Sequence, residues 1–141
     1  ISRMTIRAIK IDPIAKTIDW VDLPTDEEGD VSLEALYREV NCRMITAVHP
    51  FGFESEDRDL QKNFIYLDDE GLYNEGPQAF FEVEGYPHPL VNTGLVFSLN
   101  DEGNSEETTF SLDQVKEAVN WVAPIAMQND DGERVIHWIR L

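Results

Sequence analysis

The chain has few features that would mark a secreted or membrane-spanning protein. Its 141 residues include one cysteine, Cys42, so no disulfide can form within the chain. A reducing compartment is the simplest expectation for such a sequence. No apolar run approaches the ~20 residues that a membrane-spanning helix needs, and no signal segment opens the chain. These absences predict a cytoplasmic protein that does not contact membranes.

Basic residues are scarce. Eleven lysines and arginines face 28 acidic residues, which gives a formal net charge of −17. Such a surface repels the phosphates of nucleic acids and of anionic membranes, so direct binding to DNA, RNA or lipid is not expected. Three interpretations of the acidity stay open: solubility, adaptation to a saline habitat, and mimicry of a polyanion that occupies a DNA-binding protein as a decoy.

Recognisable catalytic motifs are also absent. The sequence contains no P-loop, no dinucleotide fingerprint and no G-x-S-x-G nucleophile motif. The three histidines, His49, His88 and His137, lack metal-ligand spacing, so separate structural or surface roles are favoured over a zinc site or a dyad with Cys42. We therefore predict no catalytic residue, no metal site and no cofactor.

The composition is that of a single globular domain. Hydrophobic residues make up 42% of the chain and aromatic residues 10%, which is ordinary for a folded protein. A chain of this length can bury a core without disulfides or metals. We expect one domain over residues 4–141, with residues 1–3 a vector-derived remnant and Met4 the native start.

Two apolar runs predict the centre of a sheet. The longer one, between Pro89 and Asn100, predicts a buried strand over 90–99, and the run at 64–67 predicts a second strand in the middle of the same sheet. Gly94 within the longer run indicates a bulge or a close approach by other backbone. Alternating patterns predict further strands at 5–11, 17–23, 43–49 and 135–141, the first two as a hairpin. The segment 78–83 fits either a helical turn or a strand, and Leu72 and Tyr73 are predicted to form a short return.

Two helices are predicted from their caps. Ser32 is a good N-cap before an apolar stripe at helical spacing. Ser111 and Gln114 fit a capping box that opens a second helix, whose stripe reaches Val122 and which Pro124 ends. The expected fold class is α+β: a mainly antiparallel, twisted sheet of about five to seven strands with two helices packed on it.

The order of several motifs is similar to that of a known family. The segments are R-A-I-K-I-D-P at 7–13, S-L-E-A-L at 32–36, F-I-Y-L-D-D-E-G at 64–71 and P-L-V-N-T-G-L-V-F at 89–97. Over residues 4–103, this order resembles domain-of-unknown-function family 3846, uncharacterised proteins of phages, plasmids and their bacterial hosts. The family has no established activity, so the resemblance implies only an intracellular, non-essential accessory protein of a mobile element.

Two candidate sites follow from polar and aromatic residues near the central run. Asn92 and Thr93, with His88 nearby, could bind a ligand, although a hydrogen bond to a neighbouring strand is favoured for the first two. Tyr86, Phe51 and Phe53, with Phe80 and Phe81 nearby, could form an exposed patch that binds a partner protein. A loop that covers the core is the equal alternative.

A third candidate is the acidic turn formed by Asp68, Asp69 and Glu70. It could contact a partner or hold a hard cation, although a solvated turn is favoured because the alternating ligands of an EF-hand are missing. The predicted function is a non-enzymatic binding protein of a phage or mobile element that acts on a partner protein through an acidic surface. The alternatives are a small-molecule binder or enzyme around Asn92, Thr93 and His88, and a structural oligomerising module.

Overall fold

The structure, a computed structural model, describes residues 4–53, 55–73 and 75–141. Its strands are β1 (Thr5–Asp12), β2 (Thr17–Pro24), β3 (Ile45–Val48), β4 (Asn63–Asp68), β5 (Phe80–Val83), β6 (Leu90–Val91), β7 (Gly94–Leu99), β8 (Ser105–Glu107), β9 (Val119–Gln128) and β10 (Arg134–Arg140). Its helices are α1 (Leu33–Val40), α2 (Arg58–Gln61) and α3 (Leu112–Ala118), with one 3₁₀ turn at Gly71–Tyr73.

The strands form two antiparallel sheets. The larger sheet has the order β2-β1-β7-β4-β3, with β8 also paired to β7, and the smaller has the order β10-β9-β5-β6. The predicted hairpin is confirmed, as is the mainly antiparallel α+β class. β4 and β7 pair with each other inside the larger sheet, in agreement with the expectation that the two apolar runs lie in the middle of one sheet. The prediction of one sheet and two helices is wrong. Two sheets and three helices occur among the described residues, and α2 escaped prediction because its four residues carry no apolar stripe.

The predicted single strand over 90–99 is also wrong. Its first part, β6, belongs to the smaller sheet, and its second part, β7, belongs to the larger one. The chain turns between them at Asn92, which has a φ of 62°, a conformation that asparagine tolerates better than most residues. Hydrophobicity could not reveal this break, because Leu90 on one side of it and Leu95 on the other are both buried.

The second predicted helix is shorter than expected. It ends at Ala118, and β9 begins at Val119 and continues through Pro124, which lies opposite Trp138. The β-branched and aromatic residues of the segment VNWV favour a strand, and its alternation was hidden by spacing that also fits a helix. Pro124 is tolerated because β5 pairs with β9 only as far as Val122.

Two shorter segments, 71–73 and 80–83, form a 3₁₀ turn and a strand. The segment that fitted either a helical turn or a strand forms β5, so the strand alternative is confirmed. Leu72 and Tyr73 belong to the 3₁₀ turn, so the predicted short return is wrong. Asp68 anchors the chain before this turn by accepting the backbone N–H of Glu70 at 2.9 Å.

The core lies on both faces of the larger sheet. One cluster, which includes Ile65 and Phe81, fills the space between the two sheets and α3, and a second, which includes Phe64, lies under α1. Gly94 is needed at the crossing of the sheets, since an added Cβ would lie 2.8 Å from Ile65 Cγ2 and 3.1 Å from Phe81 Cζ. The close approach predicted at Gly94 therefore comes from side chains and not from backbone.

Candidate functional site

Three acidic loops meet at one end of the larger sheet. Thr5, the first residue of β1, lies opposite Pro24, the last residue of β2, so the loop after β2 emerges at this end. Asn63, the first residue of β4, lies opposite Ser98 near the end of β7, which brings the loops before β4 and after β7 to the same end. The antiparallel topology thus gathers segments 25–31, 55–62 and 100–107.

Hydrogen bonds and one ion pair connect these loops to each other. Asp30 Oδ1 accepts the backbone N–H of Ser105 at 3.0 Å, which joins the first loop to β8. The backbone N–H of Leu99 donates to Lys62 O at 3.0 Å, and Lys62 Nζ lies 3.9 Å from Asp101 Oδ1. The loops are therefore held in a fixed arrangement relative to one another.

The buried amide of Asn63 fixes this arrangement from below. Its side chain is 0% exposed. Its oxygen accepts from Thr108 Oγ1 and, at 3.1 Å, from the backbone N–H of Thr109. Its Nδ2 donates to Asp59 O at 3.3 Å and to Thr109 Oγ1 at 2.8 Å. All four hydrogen-bonding positions of the amide are used, so the residue joins the acidic loop before β4 to the segment that precedes α3.

The loops expose a concentration of negative charge. We call this surface the acidic end and define it by nine exposed carboxylates: Asp26, Glu27, Glu28, Glu56, Asp57, Asp59, Asp101, Glu102 and Glu107. Three cations among the described residues accompany them. Arg7 pairs with Glu107 at 2.7 Å, Lys62 lies near Asp101, and Arg58 is exposed on α2. The hydrogen bond that Arg7 donates to the Glu107 carboxylate is the main cause that raises the pKa of Arg7.

Part of the predicted aromatic patch lies beside the acidic end. Phe53 is 43% exposed and stands edge-on to Tyr86 with ring centroids 5.1 Å apart, and Tyr86 stands edge-on to His88 at 5.9 Å. Gly52 accepts the N–H of Ser55 at 2.7 Å, so Phe53 lies in the turn that leads into the acidic loop. We call Phe53, Tyr86 and His88 the aromatic patch.

The other predicted aromatic residues lie elsewhere. Phe51 is only 6% exposed and packs on Phe110 at 4.8 Å, in agreement with the alternative of a loop that covers the core. Phe81 is fully buried between the sheets, and Phe80 packs on Trp138 at 5.0 Å. The sequence could not separate exposed from buried phenylalanines, because all of them lie in short apolar segments.

The predicted ligand residues Asn92, Thr93 and His88 have separate surroundings in the described part of the chain. Asn92 makes a strand contact: its side-chain oxygen accepts the N–H of Ala79 at 3.0 Å, and its own N–H donates to Ala79 O at 2.7 Å. Thr93 is half-buried beside it, and His88 is exposed against Tyr86. None of the three lines the three cavities described below. For Asn92, the favoured alternative of a hydrogen bond to neighbouring backbone agrees with these distances.

The acidic turn with Asp68, Asp69 and Glu70 lies far from the acidic end. It follows β4 at the opposite end from Asn63, about 17 Å away at ~3.3 Å per residue. Asp68 is 8% exposed and lines, with Cys42 and Arg43, a polar cavity of about 190 Å³. Among the described residues, no three histidine, cysteine or acidic side chains are arranged to hold a metal ion.

The single thiol belongs to the same polar cavity. Burial raises the pKa of Cys42 to about 11, and the charge of Asp68 adds to this effect. The thiolate is the nucleophilic form of cysteine. Cys42 is therefore protonated at neutral pH and is a poor nucleophile.

Two further cavities were not predicted from the sequence. A cleft of about 230 Å³ is lined by Lys16 and Ile18 from the β1–β2 hairpin, by Lys116 from α3, and by Val119 and Trp121 from β9. A second groove of about 490 Å³ shares Lys16. These residues are far apart in the chain, and only the topology brings them together. The one sequence signal that could have pointed to the cleft is the scarcity of lysine.

Comparison of the chain with protein-family models, with curated proteins and with solved structures gives no match. The resemblance to family 3846 therefore stays a prediction. In the described part of the chain, no helix is long and apolar enough to cross a membrane.

Proposed function

We propose that this protein is a non-enzymatic binding protein whose acidic end holds a partner protein with a lysine- and arginine-rich surface. The observation that carries the proposal is the meeting of three loops, distant in the chain, whose nine exposed carboxylates face solvent beside the aromatic patch. Solubility alone does not require carboxylates to cluster at one end of the sheet, because carboxylates spread over the whole surface keep a protein soluble equally well.

The two parts of the surface have different physical roles. The carboxylates attract a basic partner over a distance of about a Debye length and speed its association. Phe53 and Tyr86 offer ring faces and edges that an arginine side chain can stack on while its guanidinium group pairs with a carboxylate. Interfaces commonly combine such an aromatic anchor with a charged rim.

In one version of this proposal, the protein mimics a nucleic acid and its partner is a DNA-processing or host-defence protein. The partner's phosphate-binding groove would then receive the acidic end in place of DNA. The origin in a mobile element, implied by the resemblance to family 3846, would provide the context for such a decoy. Carboxylates outside the acidic end, at 68–70 and 130–133, would play no part.

The experiment measures binding of a fluorescent arginine- and lysine-rich peptide by anisotropy. One triple variant carries Glu56→Gln, Asp101→Asn and Glu102→Gln at the acidic end. The matched control carries Asp130→Asn, Asp131→Asn and Glu133→Gln at the tip of the β9–β10 hairpin, with the same change in net charge. We expect the first to weaken binding about tenfold, since each exposed ion pair contributes ~0.2–1 kcal/mol.

The control variant should bind within about twofold of the wild type. Equal weakening in both variants would mean that the net charge acts diffusely, and the acidic end would lose its special role. The aromatic patch is tested by Phe53→Ala, with Tyr73→Ala as its control, because Tyr73 is 85% exposed and lies in the 3₁₀ turn away from the acidic end.

A second candidate function, self-association, is favoured by the edge of the smaller sheet. In the described residues, β10 pairs only with β9, and its outer edge is open. Ile136 is 61% exposed and Trp138 40%, and an open apolar edge strand is a template for pairing with another chain. Sedimentation of the wild type and of Ile136→Lys tests this: a wild-type dimer that the variant dissociates supports it, and a monomeric wild type excludes it.

A further inference from the structure

Two of the four lysines are not paired with carboxylates. Lys10 Nζ lies 2.9 Å from Glu39 and Lys62 Nζ 3.9 Å from Asp101. Lys16 and Lys116 have no carboxylate oxygen within 4.0 Å in the part of the chain that the structure describes. In a chain with 28 acidic residues, the two unpaired lysines line one and the same cleft.

The backbone around each lysine is fixed. Lys16 closes the turn between β1 and β2 with a φ of 58°, which is unusual for a residue other than glycine. Asp12 Oδ1 holds this turn by accepting the N–H groups of Ile14 and Ala15, each at 3.1 Å. Lys116 lies on α3, whose start is fixed by the capping box of Ser111 and Gln114. The two ammonium groups are therefore carried on ordered backbone.

The other lining residues of the cleft are apolar, and no acidic side chain among the described residues lines it. Trp121, Ile18 and Val119 complete its lining. The nearest acidic residues in sequence, Asp19, Asp113 and Glu117, do not line it. Asp19 follows Ile18 on a strand and so points to the opposite face, while the other two lie on α3 beside Lys116. The site thus offers two cations next to an indole ring.

A second groove, lined mostly by apolar residues, shares Lys16 with the cleft. It has a volume of about 490 Å³, and its lining includes Ile14, Phe80, Val122, Pro124 and Leu141. This volume is in the range of small-molecule sites, about 300–1,000 Å³. A ligand with a charged end at the lysines has room here for a hydrocarbon body.

We propose that the cleft and groove together bind an organic anion with a hydrocarbon body, its carboxylate or phosphate held between Lys16 and Lys116. The hydrocarbon body lies against Trp121 and extends along the apolar groove. The charge of the ligand is opposite to that of the two lysines, and its apolar part matches the rest of the lining. The same anionic group is present in alkyl carboxylates and in alkyl phosphates.

Calorimetry with decanoate, decyl phosphate, decanol and inorganic phosphate tests the proposal. Decanoate or decyl phosphate should bind, decanol should bind at least about tenfold more weakly, and inorganic phosphate should not bind measurably, since both parts of the ligand contribute. Tighter binding of one of the two anions identifies the source of the charged group.

Variants locate the binding on the protein. Lys16→Gln and Lys116→Gln should each weaken decanoate or decyl phosphate binding about two- to fivefold, while Lys62→Gln, which makes the same change in net charge, should leave it unchanged. No binding of either anion, or equal weakening by all three variants, would overturn the proposal. All three lysines are exposed, and circular dichroism checks that the variants fold. The cleft is separate from the acidic end, so either proposal can fail without the other.

Discussion

Replacing Asn63 by aspartate is the sharpest test of how the acidic end is held. The change keeps the shape of the side chain and the acceptor oxygen for Thr109, but it replaces the Nδ2 donor by a second oxygen. In the wild type, Asn63 Nδ2 donates to Asp59 O at 3.3 Å and to Thr109 Oγ1 at 2.8 Å. In the variant, a carboxylate oxygen faces Asp59 O, and because both are acceptors no hydrogen bond forms between them. In a site that is 0% exposed, an unsatisfied buried polar group costs about 1–3 kcal/mol.

The free energy of unfolding should therefore fall by about 2–5 kcal/mol at pH 7, a large part of the 5–15 kcal/mol typical of a domain. Burial beside a carbonyl oxygen should raise the pKa of the new carboxyl above its ordinary value of about 3.9. The folded variant then keeps its proton at a pH where the unfolded chain has lost it. The loss of stability relative to wild type should consequently be smallest below pH 4 and should grow as the pH rises through the folded pKa.

Urea denaturation of Asn63→Asp and wild type at pH 4 and pH 7 measures this difference. Asn100→Asp is the matched control at the same end of the sheet. The Asn100 oxygen only accepts, from the N–H groups of Glu102 and Asn104 at 3.0 and 2.9 Å, and a carboxylate can do the same. Equal, pH-independent losses in both variants would refute the role given to the Asn63 amide.

Three further predictions concern the core, a helix cap and the thiol. Gly94→Ala should lower the free energy of unfolding by about 1–3 kcal/mol through overpacking against Ile65, whereas Gly76→Ala, with no atom within 4 Å of the added Cβ, should be nearly neutral by urea denaturation. Ser111→Ala should cost about 1 kcal/mol in the same assay, because the capping box of α3 is lost. Cys42, with its pKa of about 11, should react with iodoacetamide at pH 7.5 about a hundredfold more slowly in the folded protein than in urea, and equal rates would contradict its burial.

Much of the larger sheet was predictable because its sequence signals are local. β1 and β2 alternate clearly, and a short connection forces them to be antiparallel. The cap residues Ser32 and Ser111 marked the starts of α1 and α3 correctly. These features depend on residues a few positions apart, which is the distance over which periodicity and capping act.

The division into two sheets was not predictable from such signals. Asn92 interrupts an apolar run that has buried residues in both halves, so the hydrophobic pattern alone does not separate the two strands. Val119 and Val122 fit a helical stripe and a strand alike. The prediction of the candidate sites was limited for the same reason. Phe51 and Phe53 lie in a single turn, yet Phe51 faces the core and Phe53 faces solvent.

The cleft with Lys16 and Lys116 and the acidic end both depend on contacts between distant segments. Spacing along the chain carries no information about which of 28 acidic residues share an end of the sheet. The register of β4 with β7 and of β1 with β2 decides it. Composition could therefore predict an acidic surface but could not place it.

Amide chemical shifts followed during titration with the arginine- and lysine-rich peptide test the role of the acidic end most directly. We expect the largest changes at Phe53, Tyr86 and the loops 25–31, 55–62 and 100–107, with small changes at the acidic turns 68–70 and 130–133. Changes spread equally over all acidic turns, or no changes at all, would contradict the assignment of partner binding to this end of the sheet.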